Sequence, residues 1–288
     1  MQKARKSYIL KTMENYSVLM SVYKNDRPEW FRQAAESMLR QSFKPSQFVL
    51  VEDGPVPVRL EQTIKDTAAS CDKDIRFDII RLSENGGLGP ALNEGLKHCQ
   101  YDLVARMDAD DVSLPDRCML QTSYMTNHPQ CAALSGTLLE FEGKIPGDYG
   151  ACIKKSVPSA VEEIRKYAAV RNPVNHPCVM FRKSCVDKAG GYRSVPYFED
   201  YDLWLRMLFD CGMEFSNLTD PLLLMRTDGM YERRGGIKYT GHMISFRRKM
   251  QKKGYIGLWK NLYITCSRVA VSLVPGSIRR LIYRKLLR

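Results

Sequence analysis

The feature that most restricts what this chain can fold into is an alternation, over residues 14–111, of short β-rich runs with helical stretches at the spacing of βα units. Such an alternation specifies an α/β fold with a mostly parallel central sheet flanked by helices. Strand runs are read at residues 16–22, 47–52, 76–82 and 102–107. Between the first two, Asp26-Arg27-Pro28 offers a helix cap and an early helical proline. Trp30, Ala34 and Met38 then recur at i, i+4 and i+8, so this helix is expected to lay that face on the sheet. The third connection, Asn85-Gly86-Gly87-Leu88-Gly89-Pro90-Ala91-Leu92-Asn93, joins a glycine turn to a helix ending near His98. Free N–H groups in such a turn suit a phosphate, and the same glycines suit a tight βα turn; both readings stand. It has no Gly-Lys-Ser/Thr of a P-loop, and it does not open the first βα unit as a dinucleotide fingerprint does.

Beyond Asp111 the pattern changes. Helices are expected at 115–127, 159–170 and 200–209, the last with Leu203, Met207 and Leu208 on its apolar side. Strands are expected at 132–142 and 179–182, separated by a variable stretch holding Gly143, Pro146 and Gly147.

Three carboxylates in four residues, Asp108-Ala109-Asp110-Asp111, directly follow the fourth strand, at the carboxyl end where open α/β sheets place ligands. Their mutual repulsion is tolerable if a divalent cation offsets it, and carboxylate oxygens suit Mg²⁺ or Mn²⁺. The plain alternative is a solvated acidic turn in which Asp111 or Ser113 caps the next helix. Phe198-Glu199-Asp200-Tyr201-Asp202-Leu203-Trp204 again groups carboxylates, at a helix start beside aromatic rings. One of them would serve as a general base, or the group is an acidic first turn favoured by the helix dipole. Asp53, ahead of Gly54, also ends a strand, where it would accept hydrogen bonds from a base or ribose, or simply form a turn. His176 would bind substrate or metal, though a lone histidine is more often structural. No Ser-His-Asp order, G-x-S-x-G or H-E-x-x-H supports a hydrolase.

The net charge of +12 would suggest nucleic acid, but its location argues otherwise: residues 233–288 hold 15 of the 44 Lys/Arg and none of the 32 Asp/Glu. The rest of the chain is mildly acidic. A basic, apolar-rich tail fits an anionic membrane surface better than a groove tracking phosphates, and no nucleic-acid partner is expected. Residues 256–274 are largely apolar but contain Lys260, Asn261 and Arg268, and Pro275-Gly276 precedes a basic stretch with Ile278, Leu281, Ile282 and Leu286 on one face and Arg279, Arg280, Arg284 and Lys285 among them. An interfacial helix pair is expected rather than a span, with a helix packed on the main domain as the alternative. The nine cysteines are scattered and form no C-x-x-C pair, which fits a reducing compartment. No signal-type apolar run follows the basic start, so a cytoplasmic location, peripheral at the inner face of the plasma membrane, is expected.

Taken in order, Ser17-Val18-Leu19-Met20-Ser21-Val22-Tyr23, Val51-Glu52-Asp53-Gly54, the Asn85–Asn93 run, Ala105-Arg106-Met107-Asp108-Ala109-Asp110-Asp111, Gly190-Gly191-Tyr192 and Glu199-Asp200-Tyr201-Asp202-Leu203-Trp204-Leu205-Arg206 resemble the inverting family 2 glycosyltransferases of the GT-A fold. The closest likeness is to those of bacterial exopolysaccharide, capsule and O-antigen synthesis. The resemblance implies a nucleotide-sugar donor, held by Ser21, Val22, Tyr23, Asp53, Asn85, Asn93, Arg106 and Asp108. It implies Mg²⁺ or Mn²⁺ on Asp110, and Asp200 as the base that deprotonates an acceptor hydroxyl. Glu199, Trp204, His176, Arg226 and Asp228 would be acceptor or auxiliary residues. Many relatives carry a histidine shortly after the counterpart of Arg226; here Thr227-Asp228 follows, and what replaces that contact is open.

On this reading residues 1–13 are an extension and 14–232 a catalytic domain, with a nucleotide-binding half at 14–111 and an acceptor-binding half at 112–232. The segment 233–288 is a helical tail that associates with membrane. The expected reaction moves a sugar, a hexose from UDP, to a hydroxyl of a polyprenyl-diphosphate-linked oligosaccharide. Competing readings are transfer directly to polyprenyl phosphate and a non-catalytic polyanion binder.

Overall fold

The computed structural model describes residues 13–230 and 235–275, with positions 279 and 282. Of the expected terminal helix, Ile278, Arg280, Leu281, Arg284, Lys285 and Leu286 lie outside the described residues.

Four strands, β1 (Tyr16–Val22), β2 (Gln47–Glu52), β3 (Arg76–Arg81) and β4 (Leu103–Met107), form a parallel sheet in the order β3-β2-β1-β4. Their bounds fall within a residue of those expected. β1, β2 and β4 are apolar on both faces because helices cover both sides. The crossovers are α1 (Pro28–Leu39), α2 (Val58–Ala69) and α3 (Leu88–His98). α1 begins on its proline, but Arg27 occupies the cap position without a side-chain bond. Asp26 instead accepts from the N–H of Tyr23 at 2.9 Å, shaping the turn after β1. The core face of α1 is Phe31, Ala34, Ala35 and Met38, so Trp30 stands one residue off it and is half-buried.

Past the acidic segment, a two-residue strand β5 (Val112–Ser113) precedes α4 (Arg117–Asn127). Neither Asp111 nor Ser113 caps α4; Asp116 takes that place, and Ser113 is held inside the sheet by Gln41 and Ser37. The remaining strands are β6 (Cys131–Phe141), β7 (Ile153–Lys155), β8 (Met180–Arg182) and β9 (Glu214–Arg226). They extend the same sheet as β4-β8-β6-β9-β5, with β7 beside β6. β6 runs parallel to β9 along most of its length, whereas β8 is antiparallel to both β4 and β6. The short helices α5 (Val161–Ala168), α6 (Lys183–Lys188) and α7 (Glu199–Leu205) sit around this half, and α7 continues as a wider π turn over Arg206–Asp210.

The tail forms a helical hairpin, α8 (Gly236–Lys252) and α9 (Leu258–Leu273). Phe246, Met250, Ile256 and Ile264 join the second of two large apolar clusters that sandwich the sheet. Lys249 pairs with Asp202 at 2.6 Å and Arg268 donates to the carbonyl of Val170 at 3.3 Å, so the hairpin packs on the main domain as the alternative reading required. Among the described residues, no helix is long and apolar enough to cross a membrane. All nine cysteines are unpaired.

Candidate active site

Parallel pairing aligns the carboxyl ends of β1, β2 and β4 along one edge of the sheet: Val22 lies opposite Glu52, and Met20 opposite Met107. Every acidic segment singled out in the first half of the sequence ends there, which is where the sheet leaves a crevice.

Asp108, Asp110 and Asp111 bring one carboxylate oxygen each to within 4.8 Å of the others. The loop is fixed from both sides. Upstream, Arg106 is buried in β4 and grips both oxygens of Asp108, with Nη1 at 2.7 Å from Oδ2. Burial opposes the Arg106 charge, and the Asp108 carboxylate more than offsets that. Arg117 supports β4 from below, donating to the carbonyl of Arg106 at 2.6 Å. Downstream, β5 pairs with β9, and the N–H of Arg226 donates to Asp111 Oδ1 at 2.8 Å. Burial, and then the carboxylates of Asp110 and Asp108, push the Asp111 carboxyl well above its usual range. Three hard oxygen donors whose crowding raises a proton affinity fit a divalent cation of the Mg²⁺ or Mn²⁺ type. Asp110 and Asp111 are the better placed to hold it, since both oxygens of Asp108 already face Arg106.

Arg226 is an organising residue rather than a free cation. Its guanidinium donates to the carbonyls of Asp110 (3.0 Å) and Gly143 and to Gln33 (3.2 Å), and it stacks on Trp30 at 4.5 Å and Phe141 at 4.7 Å. Arg27 covers Trp30 as well, at 4.2 Å. Trp30 is therefore a site-lining residue, which its helical spacing disguised. Asp228 accepts from the N–H of Gly143 at 3.1 Å, tying the turn after β6 to the segment after β9.

Asp53 settles the two readings of the glycine turn. Its carboxylate accepts from the N–H groups of Gly86 (2.7 Å) and Gly87 (3.0 Å) and from Asn85 Nδ2 (2.8 Å). The anion in the turn is the chain's own, and the run is a tight βα turn latched to β2. Tyr23 and Ser21 stand beside it at the end of β1, each half-buried, with Val22 buried between them.

Asn93 is occupied in a different way. Its amide makes a two-way bond with the backbone of Tyr192, Nδ2 to O at 2.7 Å and N–H to Oδ1 at 2.8 Å. Arg206 holds the residues just before it, donating to the carbonyls of Ala189 and Gly191 while paired with Asp202 at 2.8 Å. Gly190 and Gly191 take φ of +80° and +63°, a region that favours glycine. This double clamp presses the loop onto the start of α3, where a Cβ on Gly89 would stand 3.5 Å from both Glu199 and Tyr192.

Asp200 sits at the first turn of α7. Its Oδ1 accepts from the N–H of Tyr201 at 2.7 Å and its Oδ2 from Asn172 Nδ2 at 2.6 Å. Asn172 lies in a loop with no sequence signal of its own, and the sequence reading missed it. Tyr197, just upstream, has φ of +69°, uncommon for a tyrosine and the kind of strain that marks functional loops. Burial raises the Glu199 carboxyl. Burial also pushes the Tyr192 hydroxyl up, against the opposing charge of Arg106.

Two expected acceptor residues are placed where no acceptor reaches them. Trp204 is fully buried among His176, Phe181 and Phe215. His176 is buried with Nε2 at 3.0 Å from the Tyr192 hydroxyl, and burial, then the Arg106 charge, push its imidazole well below the usual range. His176 supports Tyr192, and Trp204 packs against His176 in turn.

Residues 17–186 match the family described as Glycosyl transferase family 2. The chain is 35% identical over 272 residues to the amylovoran biosynthesis glycosyltransferase AmsE of Erwinia amylovora, covering 94% of this chain and 98% of that one. It is also 35% identical to the UDP-Gal:alpha-D-GlcNAc-diphosphoundecaprenol beta-1,3-galactosyltransferase of Escherichia coli, covering 95% and 96%. Among solved structures, the mannosyltransferase PcManGT from Pyrobaculum calidifontis, in complex with GDP-Man and Mn²⁺, aligns with a TM-score of 0.62 at 14% identity over 99% of this chain and 89% of that one. S. aureus TarS 1–349 in complex with UDP-GlcNAc aligns with a TM-score of 0.62 at 14% identity, covering 88% and 71%.

Proposed function

The chain belongs to glycosyl transferase family 2 and has the GT-A fold, and from that premise we propose that it transfers a hexosyl unit from a UDP-sugar to a hydroxyl of a polyprenyl-diphosphate-linked saccharide, with inversion, during synthesis of a bacterial surface polysaccharide. The nucleotide and the lipid-linked acceptor are suggested by the Escherichia coli relative, whose name states both. The observation that carries the proposal is the division of acidic groups between two elements: a three-carboxylate cluster after β4, and Asp200, oriented by Asn172, at the first turn of α7.

That division is what single displacement needs. A cation held by Asp110 and Asp111 would offset the charge developing on the departing diphosphate. Asp108, immobilised by Arg106, faces the ribose, and the latched turn at Asp53 and Asn85 forms the base side of the pocket with Ser21, Val22 and Tyr23. Asp200 is the base: Asn172 and the N–H of Tyr201 each engage one of its oxygens and so fix the carboxylate that would take the proton of the attacking hydroxyl. The acceptor enters over Glu199, on the opposite side of the sugar from the diphosphate. The half of the chain from 112 to 232 is its platform.

Thermal denaturation with UDP, GDP, CMP and dTDP, each with and without Mn²⁺, tests this. The expected result is a midpoint rise that requires both UDP and Mn²⁺ in the wild type and is absent in Asp110→Asn. A saturating ligand at about a hundred times its Kd stabilises by about 2.7 kcal/mol, well within detection. No rise with any nucleotide would overturn the proposal.

A further inference from the structure

The α8–α9 hairpin uses only one side of α9 to pack on the domain. Asn261, Ile264 and Ser272 are its buried residues, while Leu258 is 59% exposed, Trp259 79%, Leu262 52%, Tyr263 77% and Leu273 56%. At about 100° per residue these five side chains, with Cys266 and Ala270, fall within one arc of roughly 140°, bounded on one side by Ser267 and Lys260 and on the other by Thr265 and Ser272. A contiguous exposed arc holding Trp, Tyr and three Leu is not what a free surface helix shows. It continues inward as a groove of about 660 Å³ between the two helices, lined by Ile244, Leu262 and Val269 with Arg248 at its side.

The surroundings of this face carry one sign of charge. Along the hairpin Lys238, Arg248, Lys252 and Lys260 are exposed, Lys253 pairs with Asp210 of the main domain at 3.6 Å, and from Gly235 to Leu273 there is no Asp or Glu. We infer that the outer face of α9 is a docking surface for an anionic lipid bilayer, with Leu258, Trp259, Leu262 and Tyr263 entering the headgroup boundary and the neighbouring lysines and Arg248 meeting lipid phosphates. Tryptophan and tyrosine favour that boundary, and a basic rim around an apolar stripe is the pattern of helices that lie in it. A protein partner or second copy would not account for the uniform charge of the rim.

The placement also gives docking a purpose. α8 lies between α9 and the loop that leads to Asp200: Phe198 stacks on Phe246 at 4.7 Å, and Tyr197 meets Tyr239 at 5.3 Å and His242 at 5.7 Å. The acceptor side of the cleft therefore stands behind the docking hairpin, with α8 packed directly on the loop that leads to Asp200. This consequence rests on the proposed lipid-linked acceptor; the docking itself does not.

Flotation of the full chain with vesicles of phosphatidylcholine, alone or mixed with phosphatidylglycerol, tests it against the double variant Trp259→Glu/Leu262→Glu. Both replaced side chains are exposed, so the variant keeps its fold and its metal-dependent nucleotide shift. Binding to the mixed vesicles, weakened by salt and reduced about tenfold or more in the variant, is expected. In a Trp30→Phe background, emission from Trp259 should move to the blue on binding and be quenched by brominated lipid, which the buried Trp204 does not report. The inference is overturned if the wild type stays unbound, if it binds phosphatidylcholine alone equally well, if the variant floats like the wild type, or if the face instead supports a dimer that the variant dissolves. None of these readouts depends on sugar transfer, so the vesicle result and the nucleotide result fail separately.

Discussion

Replacing Asn93 by alanine decides between two uses of one amide. The family resemblance gives Asn93 to the donor, whereas in the fold both polar ends of its side chain are engaged by the backbone of Tyr192, at 2.7 and 2.8 Å. Tyr192 is 4% exposed, so water substitutes poorly for the lost partner. Two hydrogen bonds at about 1 kcal/mol each, with the added cost of a buried backbone group left unpaired, give a loss of about 2–4 kcal/mol. In a chain of this size that lowers the midpoint by about 4–8 °C. Scanning calorimetry measures the first quantity and isothermal titration with nucleotide and Mn²⁺ the second, where affinity should stay within about twofold of the wild type. Asn93→Asp keeps the acceptor but sets a carboxylate against the Tyr192 carbonyl, and should cost at least as much stability. An unchanged midpoint with nucleotide affinity reduced about tenfold would refute the clamp and return the amide to the donor.

Three further outcomes follow from the same geometry. His176 stays neutral in the fold, so below the unfolded value near 6.5 the unfolded chain binds a proton that the native chain does not. Stability should then fall with falling pH by up to about 1.4 kcal/mol per unit; urea titrations across that window should show this slope diminished in His176→Gln, which retains a partner for Tyr192. Gly191→Ala combines a φ of +63° with a Cβ 2.7 Å from Asn93 Oδ1, and should cost about 2 kcal/mol or more. Because part of that cost is the clash, Gly191→Ala/Asn93→Ala should lose less than the sum of the single variants in a double-mutant cycle. Asp200→Asn should lower turnover by about 10²–10⁴-fold while leaving the UDP and Mn²⁺ shift intact. A transferase whose nucleophile is a lipid phosphate would instead keep its rate.

The first four strands were legible because each is a short apolar run bounded by turns, and parallel strands covered on both faces read that way. The acidic segment was legible for the same reason, since it directly follows β4. What could not be read was long-range pairing. β8 is three residues long, and nothing in Met180-Phe181-Arg182 says that it separates β4 from β6. Trp30 satisfied the helical period of α1, yet the core face lies one residue away at Phe31, and the indole meets Arg27 from the start of its own helix and Arg226 from the end of β9. Asn172, Arg117 and Gln33 act through partners on other elements, so no local pattern marks them. The motif residues Asn93, Gly191 and Arg206 were visible as a set, but their common task of holding the Tyr192 loop appears only when their partners are known. α8 was missed because its apolar positions are few and its polar ones outnumber them.

The unbroken sheet has a consequence for how such enzymes can be recombined. The proposed donor and acceptor halves meet at Asp111 in sequence, but β4 pairs with β8 on one side of that point and β5 with β9 on the other. A cut between 111 and 112 would leave Leu103, Val104 and Ala105, all buried, along an open edge, a template for aggregation. A chimera joined there would have to reproduce two foreign strand registers at once. The specificity of one half is therefore not a cassette, and exchange of acceptor preference between relatives should succeed by grafting loops such as 142–152 and 193–198 rather than by swapping halves.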